Sequence, residues 1–331
     1  VIELNPRLAW APDEKGRVKL RWESLAFHPS LSEYYDSSDG LEVRLDECDI
    51  LGHDGLLWIL SLARHRGIKR PTYVHLPTDE RILSDLEKLR FIKLLLASGG
   101  VLVNEHVLWG RKLKSRPHRL AAVSRLSLQF MQFITADNCV SILQELATYF
   151  ATEIATLMKR SPTGDVISRD SLPLQGAVRE LILNIPLHSG CEAEAGSGYA
   201  CYAHWPAGYP MIRFCCNDLG PGFRRTLHSK QGIRTASEIA GIHRALLLRH
   251  EQPENGVFGL FNALPFIFQM HGRVFIRSDD ASVTIDFSNV KVRQCFLEGK
   301  TTPNLSWIRQ ITRSKSTPSI PGCHIALDLR L

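Results

Sequence analysis

The 331-residue chain contains no run of eighteen or more apolar residues, the length a helix needs to cross a bilayer. Its first residues, VIELNPRLAWAPDEKGR, lack the charged start, apolar stretch and small-residue cleavage site of a secretory leader. The expectation is a soluble, cytoplasmic protein without membrane association. Cys48, Cys139, Cys191, Cys201, Cys215, Cys216, Cys295 and Cys323 form neither a C-x-x-C pair nor a dense framework, which fits a reducing compartment. The spacing of His188, Cys191, Cys201 and His204 could hold zinc if both pairs converged, but its halves match no common finger. No segment recurs with a period of 20 to 50 residues, so a solenoid is not expected. A strong charge excess is also missing: 40 basic residues against 34 acidic leave +6, enough for a weak attraction to anions and not an indication of nucleic-acid binding. The basic run RKLKSRPHR at 111–119 reads as a solvated interdomain linker, with phosphate contact as the alternative.

What is present is a chain long enough for two domains, with 44% hydrophobic residues. In its first part LEVRLDECDIL reads as a strand, GHDGLLWILSLARHRG as an amphipathic helix, PTYVHLP as a strand and DERILSDLEKLRFIKLLLAS as one further helix. That alternation implies an α/β unit, a sheet covered by helices, over residues 1–115 with the basic linker at its end. From 116 on, RLAAVSRLSLQF reads as a strand, CVSILQELATYFATEIATLMKRS as a long helix and the stretch from Ser171 to Ser189 as a second. GYACYAHW and MIRFCC follow as two strands around the turn signal PAGYP. Residues 223–258 carry one expected helix between polar ends, as a mobile lid would. Beyond them come a helix at LFNALPFIFQMH, strands at RVFIRS and SVTIDF, an unpatterned stretch to about 318 and a closing strand HIALDLRL.

Two stretches carry chemistry. Glu180, Asn184 and His188 are spaced four apart on one expected helix and share a face, flanked by Leu181, Ile182, Leu183, Ile185 and Leu187. Such a row is either the wet side of an amphipathic helix or the wall of a cleft. Pro186, inside that helix, is expected to kink or end its ladder. In RFCCNDLGPGF, Asp218 ends an apolar strand and Gly220 and Gly222 follow at alternate positions, either as an ordinary Asp-Gly turn or as a carboxylate offered to a ligand amine. Together these groups suit a magnesium nucleotide. An Asn carbonyl oxygen is a hard ligand for Mg2+, a Glu can act as general base, an Asp can accept from the adenine amine, and Gly256 and Gly259 in GVFGL let a helix terminus approach phosphates.

In this order the motifs resemble those of the GHKL ATPases, which include gyrase, histidine kinases and bacterial anti-sigma kinases. ELILNIPLH resembles their asparagine box, DLGPGF the first glycine box, GVFGLFNALPFIFQMHGRVFIRS the second with its helix and strand, and PGCHIALDL the closing strand, with Cys323 where threonine is usual. The resemblance covers about residues 120–331. It implies a two-layer α/β sandwich with an ATP lid, with ATP and Mg2+ as ligands, Glu180 as general base, Asn184 as metal ligand and Asp218 as adenine reader. His188, Gly220, Gly222, Gly256, Gly259 and Cys323 complete the implied nucleotide site, and Arg225, Lys230 and Arg234 of the lid could meet the γ-phosphate. Residues 41–77 resemble, more loosely, a STAS-type domain, with His53 and Asp54 at the loop where switching members carry a phosphorylatable serine. The implied function is an ATP-dependent switch with slow hydrolysis, coupled to the STAS-like half or to a protein partner. A protein serine/threonine kinase of the anti-sigma type and a noncatalytic interaction protein with a degenerate nucleotide site are the alternatives. A histidine autokinase is disfavoured because residues 139–160 contain no His. Oligomeric state and pathway are open.

Overall fold

The computed structural model of the protein describes residues 2–5, 14, 16–20, 28, 30–67, 69–104, 130–158, 172–189, 197–205, 211–248, 260–299 and 304–330. Among them no helix is long and apolar enough to cross a membrane. By its internal contacts the chain divides into two compact units, Val1–Gln132 with Cys201–Ala203, and Phe133–Ala200 with His204–Leu331.

The first unit runs β1 (Ile2–Leu4), β2 (Lys19–Leu20), α1 (Leu31–Asp36), β3 (Leu41–Arg44), a 3-10 turn (Leu45–Glu47), β4 (Ile50–Leu51), α2 (His53–Arg66), β5 (Thr72–His75), α3 (Glu80–Lys88), α4 (Phe91–Ala97) and β6 (Val101–Val103). Strands β1, β3, β5 and β6 form a parallel sheet in the order β1-β3-β5-β6, and β2 pairs with β4 in a separate parallel ladder. Two elements expected whole are broken. The strand from Leu41 stops at Arg44, whose Nε and Nη2 turn back to donate to Asp46 at 3.0 and 2.9 Å; the chain resumes at Ile50 in the other ladder. The helix expected over 79–98 is two, because Arg90 takes φ 62°, a left-handed backbone that no α-helix continues through. Helix α2 is almost entirely buried, from His53 through Ala63. Its Gly55 permits that depth: a Cβ there would stand 2.6 Å from the Leu20 side chain.

The elements from residue 130 on are β7 (Phe130–Ile134), α5 (Cys139–Met158), α6 (Leu172–His188), β8 (Gly198–Trp205), β9 (Met211–Asp218), α7 (Gly222–Gln231), α8 (Glu238–Leu247), α9 (Leu260–Gln269), β10 (Arg273–Ser278), β11 (Ala281–Asp286), α10 (Val290–Gly299), α11 (Leu305–Ile311), β12 (Thr312–Ser316) and β13 (Cys323–Arg330). Their sheet has the order β12-β11-β10-β13-β9-β8-β7, with antiparallel pairing from β12 through β9. Among the described residues the chain is therefore mixed α/β, with a four-stranded parallel sheet, a two-stranded parallel ladder and a seven-stranded sheet that is antiparallel from β12 through β9.

Three expectations change here. The described part of residues 223–258 holds two helices, α7 and α8, the second capped by Ser237, whose Oγ accepts from Ala240 N at 3.2 Å. The described part of the stretch to 318 also forms regular elements, α10, α11 and β12. Phe296 and Trp307 join Phe268 and Phe287 in an aromatic cluster with ring separations of 4.8 to 5.8 Å. Pro186 does not end α6. It falls in the last turn, and the ladder resumes with Ser189 N donating to Ile185 O at 3.1 Å. The proline removes the donor to the carbonyl of Ile182 one turn back and crowds that carbonyl with its ring, and the helix runs on for two residues beyond it.

Candidate functional site

The central position of β13 builds the site. It inserts between β10 and β9, with His324 opposite Asn217, so the start of β13 meets the end of β9 and Cys323 comes beside Asp218. Gly322 makes the approach possible. It takes φ +86°, and a Cβ on it would stand 1.9 Å from the Asp218 carbonyl oxygen; its N–H donates to Gly220 O at 3.0 Å.

Over these strand ends opens a cleft of about 830 Å³, solvent at its mouth included. One wall is the face of α6 at Leu181, Asn184, Ile185 and His188, spaced i, i+3, i+4 and i+7. A second is α7, through Gly222, Phe223, Thr226, Leu227 and Gln231. Ala245, Leu248 and Leu260 add apolar surface, and Cys216, Asn217, Asp218, Cys323 and Ile325 come from the sheet. A concave, mainly apolar lining with a few convergent polar groups is the character of a small-molecule site.

Asp218 is the charged group of this lining. Its Oδ1 accepts from Gly220 N at 2.8 Å and from Cys323 N at 3.1 Å, and no donor among the described residues reaches Oδ2. Burial pushes its carboxyl up to about 6, against the pull of those two N–H groups. The carboxylate is thus fixed by one oxygen and offers the other. Cys323 serves through its backbone, and burial drives its thiol well above the ordinary range, so it remains a thiol. Asn184 lines the cleft, and its amide has no hydrogen-bond partner among the described residues. His188 lines it one turn on and, through its carbonyl, accepts from Thr226 Oγ1 at 3.3 Å.

Glu180 stands apart from the group with which it shares a helix. It is buried, lies one turn before Asn184 and does not line the cleft. Burial raises its carboxyl to about 7, with Arg179 pulling the other way. The two glycines of the Asp-Gly turn make room for protein atoms. A Cβ on Gly220 would meet Ser189 Cα at 2.5 Å, and one on Gly222, which has φ +83°, would meet Glu238 Oε1 and Ser278 Oγ at 2.9 Å each. Lys230 donates its ammonium to Leu187 O, and Arg225 and Arg234 are exposed without lining the cleft. Gly256 and Gly259 lie outside the described residues, as does Cys191 of the possible zinc spacing. Among the described residues no group of three His, Cys, Asp or Glu could hold a metal ion.

Comparison of the chain with protein families, characterised proteins and solved structures finds no match.

Three residues that shape the site escape a reading of the sequence. Asn217 is buried, and its Oδ1 accepts from Tyr199 N at 3.2 Å, tying β8 to β9. Gly322 had only a Pro-Gly turn to announce it. Glu238, second in the helix-start signal SE, reaches back to the preceding helix: its carboxylate accepts from Phe223 N at 2.6 Å, Arg224 N at 3.1 Å and Ser278 Oγ at 2.6 Å. A sequence signals a cap on its own helix and is silent about one given to another.

Proposed function

We propose that the cleft binds an adenine nucleotide with Mg2+, in a unit of the GHKL type, and that the protein is a nucleotide-dependent switch acting with its STAS-like half or on a protein partner. The observation that carries this reading is Asp218, which uses one carboxylate oxygen on Gly220 N and Cys323 N and keeps the other for a donor in an apolar cleft. A purine amine is such a donor, and Leu181, Ile185, Leu227 and Ile325 supply surface for the ring. Asn184 fits a magnesium ligand: its amide is unengaged among the described residues and lines the same cleft. One protein ligand suffices, since Mg2+ keeps phosphate oxygens and waters in its octahedron. When bound, the ion would neutralise phosphate charge that none of the described lining side chains is basic enough to meet, His188 apart.

Glu180 is the candidate general base. A carboxyl near 7 is matched to taking a proton from water at neutral pH, and its place outside the described lining favours slow turnover or binding alone over rapid hydrolysis. Calorimetric titration of ATP with Mg2+ into the full chain tests the reading. Binding is expected for the wild type, loss for Asp218→Ala, and a weakened Mg2+-dependent component for Asn184→Ala. Tight binding unchanged by both substitutions removes the assignment. Release of phosphate, abolished in Glu180→Gln with binding retained, separates a switch that hydrolyses from one that only binds.

A further inference from the structure

We propose that the solvent side of α7 docks an acidic, carboxylate-bearing segment of a protein partner. Residues 222–234 read GFRRTLHSKQGIR, five basic or imidazole side chains and no Asp or Glu. While one side of α7 lines the cleft, Arg224, Arg225 and His228 are exposed on the other, and exposed Arg234 follows in the next loop. Positions 224 and 228 are one helical turn apart, with 225 beside them, so the three share a face. Among the described residues none of these four side chains has an ion-pair or hydrogen-bond partner.

Their placement costs the helix something. Arg224 and Arg225 stand in the first turn of α7, where the macrodipole is positive and favours anions. The acid that such a turn calls for is present, but it lies beneath: Glu238 is buried and spends its oxygens on Phe223 N, Arg224 N and Ser278 Oγ. No carboxylate among the described residues pairs with the guanidinium groups, which can take those of a partner in bidentate fashion.

The composition of the face favours a protein segment over single-stranded nucleic acid, whose binding adds aromatic stacking platforms, whereas α7 has no exposed aromatic residue. Arginine is the cation enriched at protein interfaces, and three of the four side chains above, Arg224, Arg225 and Arg234, are arginines.

The test is fluorescence anisotropy of a short fluorescein-labelled glutamate-rich peptide containing one leucine, titrated with the full chain at low salt without nucleotide, so that the outcome does not depend on what fills the cleft. Saturable binding is expected, weakened about tenfold or more by Arg224→Glu with Arg225→Glu. Arg224→Gln with Arg225→Gln should weaken it less, and circular dichroism checks that both variants fold. Arg309→Glu with Arg313→Glu, the same change in net charge at exposed sites on α11 and β12, should leave binding intact. Equal loss in that pair, absence of peptide binding, or tighter binding of single-stranded or duplex DNA through Arg224 and Arg225 would overturn the proposal.

Discussion

Asp218 is held at a cost to the fold. Its carboxyl sits near 6 in the folded protein against an ordinary 3.8, so between those values the folded chain keeps a proton that the unfolded chain has released. Linkage then makes stability fall as pH rises from about 4 to about 6, with the deficit present in full at neutral pH. Asparagine at this position keeps an oxygen for Gly220 N and Cys323 N and removes the charge. Asp218→Asn is therefore expected to be more stable than the wild type by about 1–3 kcal/mol at pH 7.5, with the gap closing toward pH 4. Urea titrations of both proteins across that range measure it. The same substitution presents an amide donor where the purine amine needs an acceptor, so it should abolish nucleotide binding. In the wild type, affinity for adenosine, which lacks titrating phosphates, should fall about tenfold per pH unit below about 6. A pH-independent affinity would show that the ligand does not use Asp218.

At the scale of elements, α7 owes its position to Glu238. One carboxylate at the start of α8 closes the first N–H groups of α7 and ties them to Ser278 at the end of β10, and α7 in turn supplies Phe223, Thr226, Leu227 and Gln231 to the cleft. Replacing it with alanine takes this acceptor from three donors, of which Phe223 N keeps Ser278 Oγ at 3.3 Å. Glu238→Ala is expected to cost about 2–4 kcal/mol and to weaken nucleotide binding, and Glu238→Gln, which retains one acceptor oxygen, to recover part of both. Denaturant unfolding and calorimetry on the two variants give the comparison; a loss of affinity equal in Ala and Gln would mean that the charge, not the clamp, matters. Element positions were legible in the sequence: α2, α6, β9 and β10 stand where expected, though α2 is buried on nearly every side and is not the amphipathic helix expected, and Asn184, His188 and Asp218 come to one cleft. What was not legible depended on partners remote in sequence. The stretch of α10 and α11 shows no pattern of its own because its order comes from Phe296 and Trp307 meeting Phe268 and Phe287. The break at Arg90 is a backbone angle that no glycine announces. Glu180 shares the spacing of Asn184 and His188, yet successive fours on a helix drift around its axis, and the drift carries it out of the lining.

For the whole molecule, the two units have separate cores, and every described residue lining the cleft falls between Leu181 and Ile325 of the second. Trp58, fully buried in α2 with Tyr35 against it at 5.9 Å, anchors the first core. Trp307, with its Nε1 donating to Cys295 O at 2.9 Å and its ring against Phe296, serves the second. Gly299 is committed to it, since a Cβ there would stand 1.4 Å from the Trp307 ring. Truncating either tryptophan to alanine removes about 3–5 kcal/mol from the unit that holds it. The consequences differ for function. Trp58→Ala should expose amides of residues 41–103 to hydrogen exchange while nucleotide affinity in calorimetry stays within about twofold of wild type, because no cleft residue belongs to that core. Trp307→Ala should leave 41–103 protected, open residues 290–316 and weaken the cleft through α8, which lies against α11. If Trp58→Ala abolishes nucleotide binding, the two cores act as one cooperative body, and a switch would then be wired through that coupling instead of through a partner that reads the second unit alone.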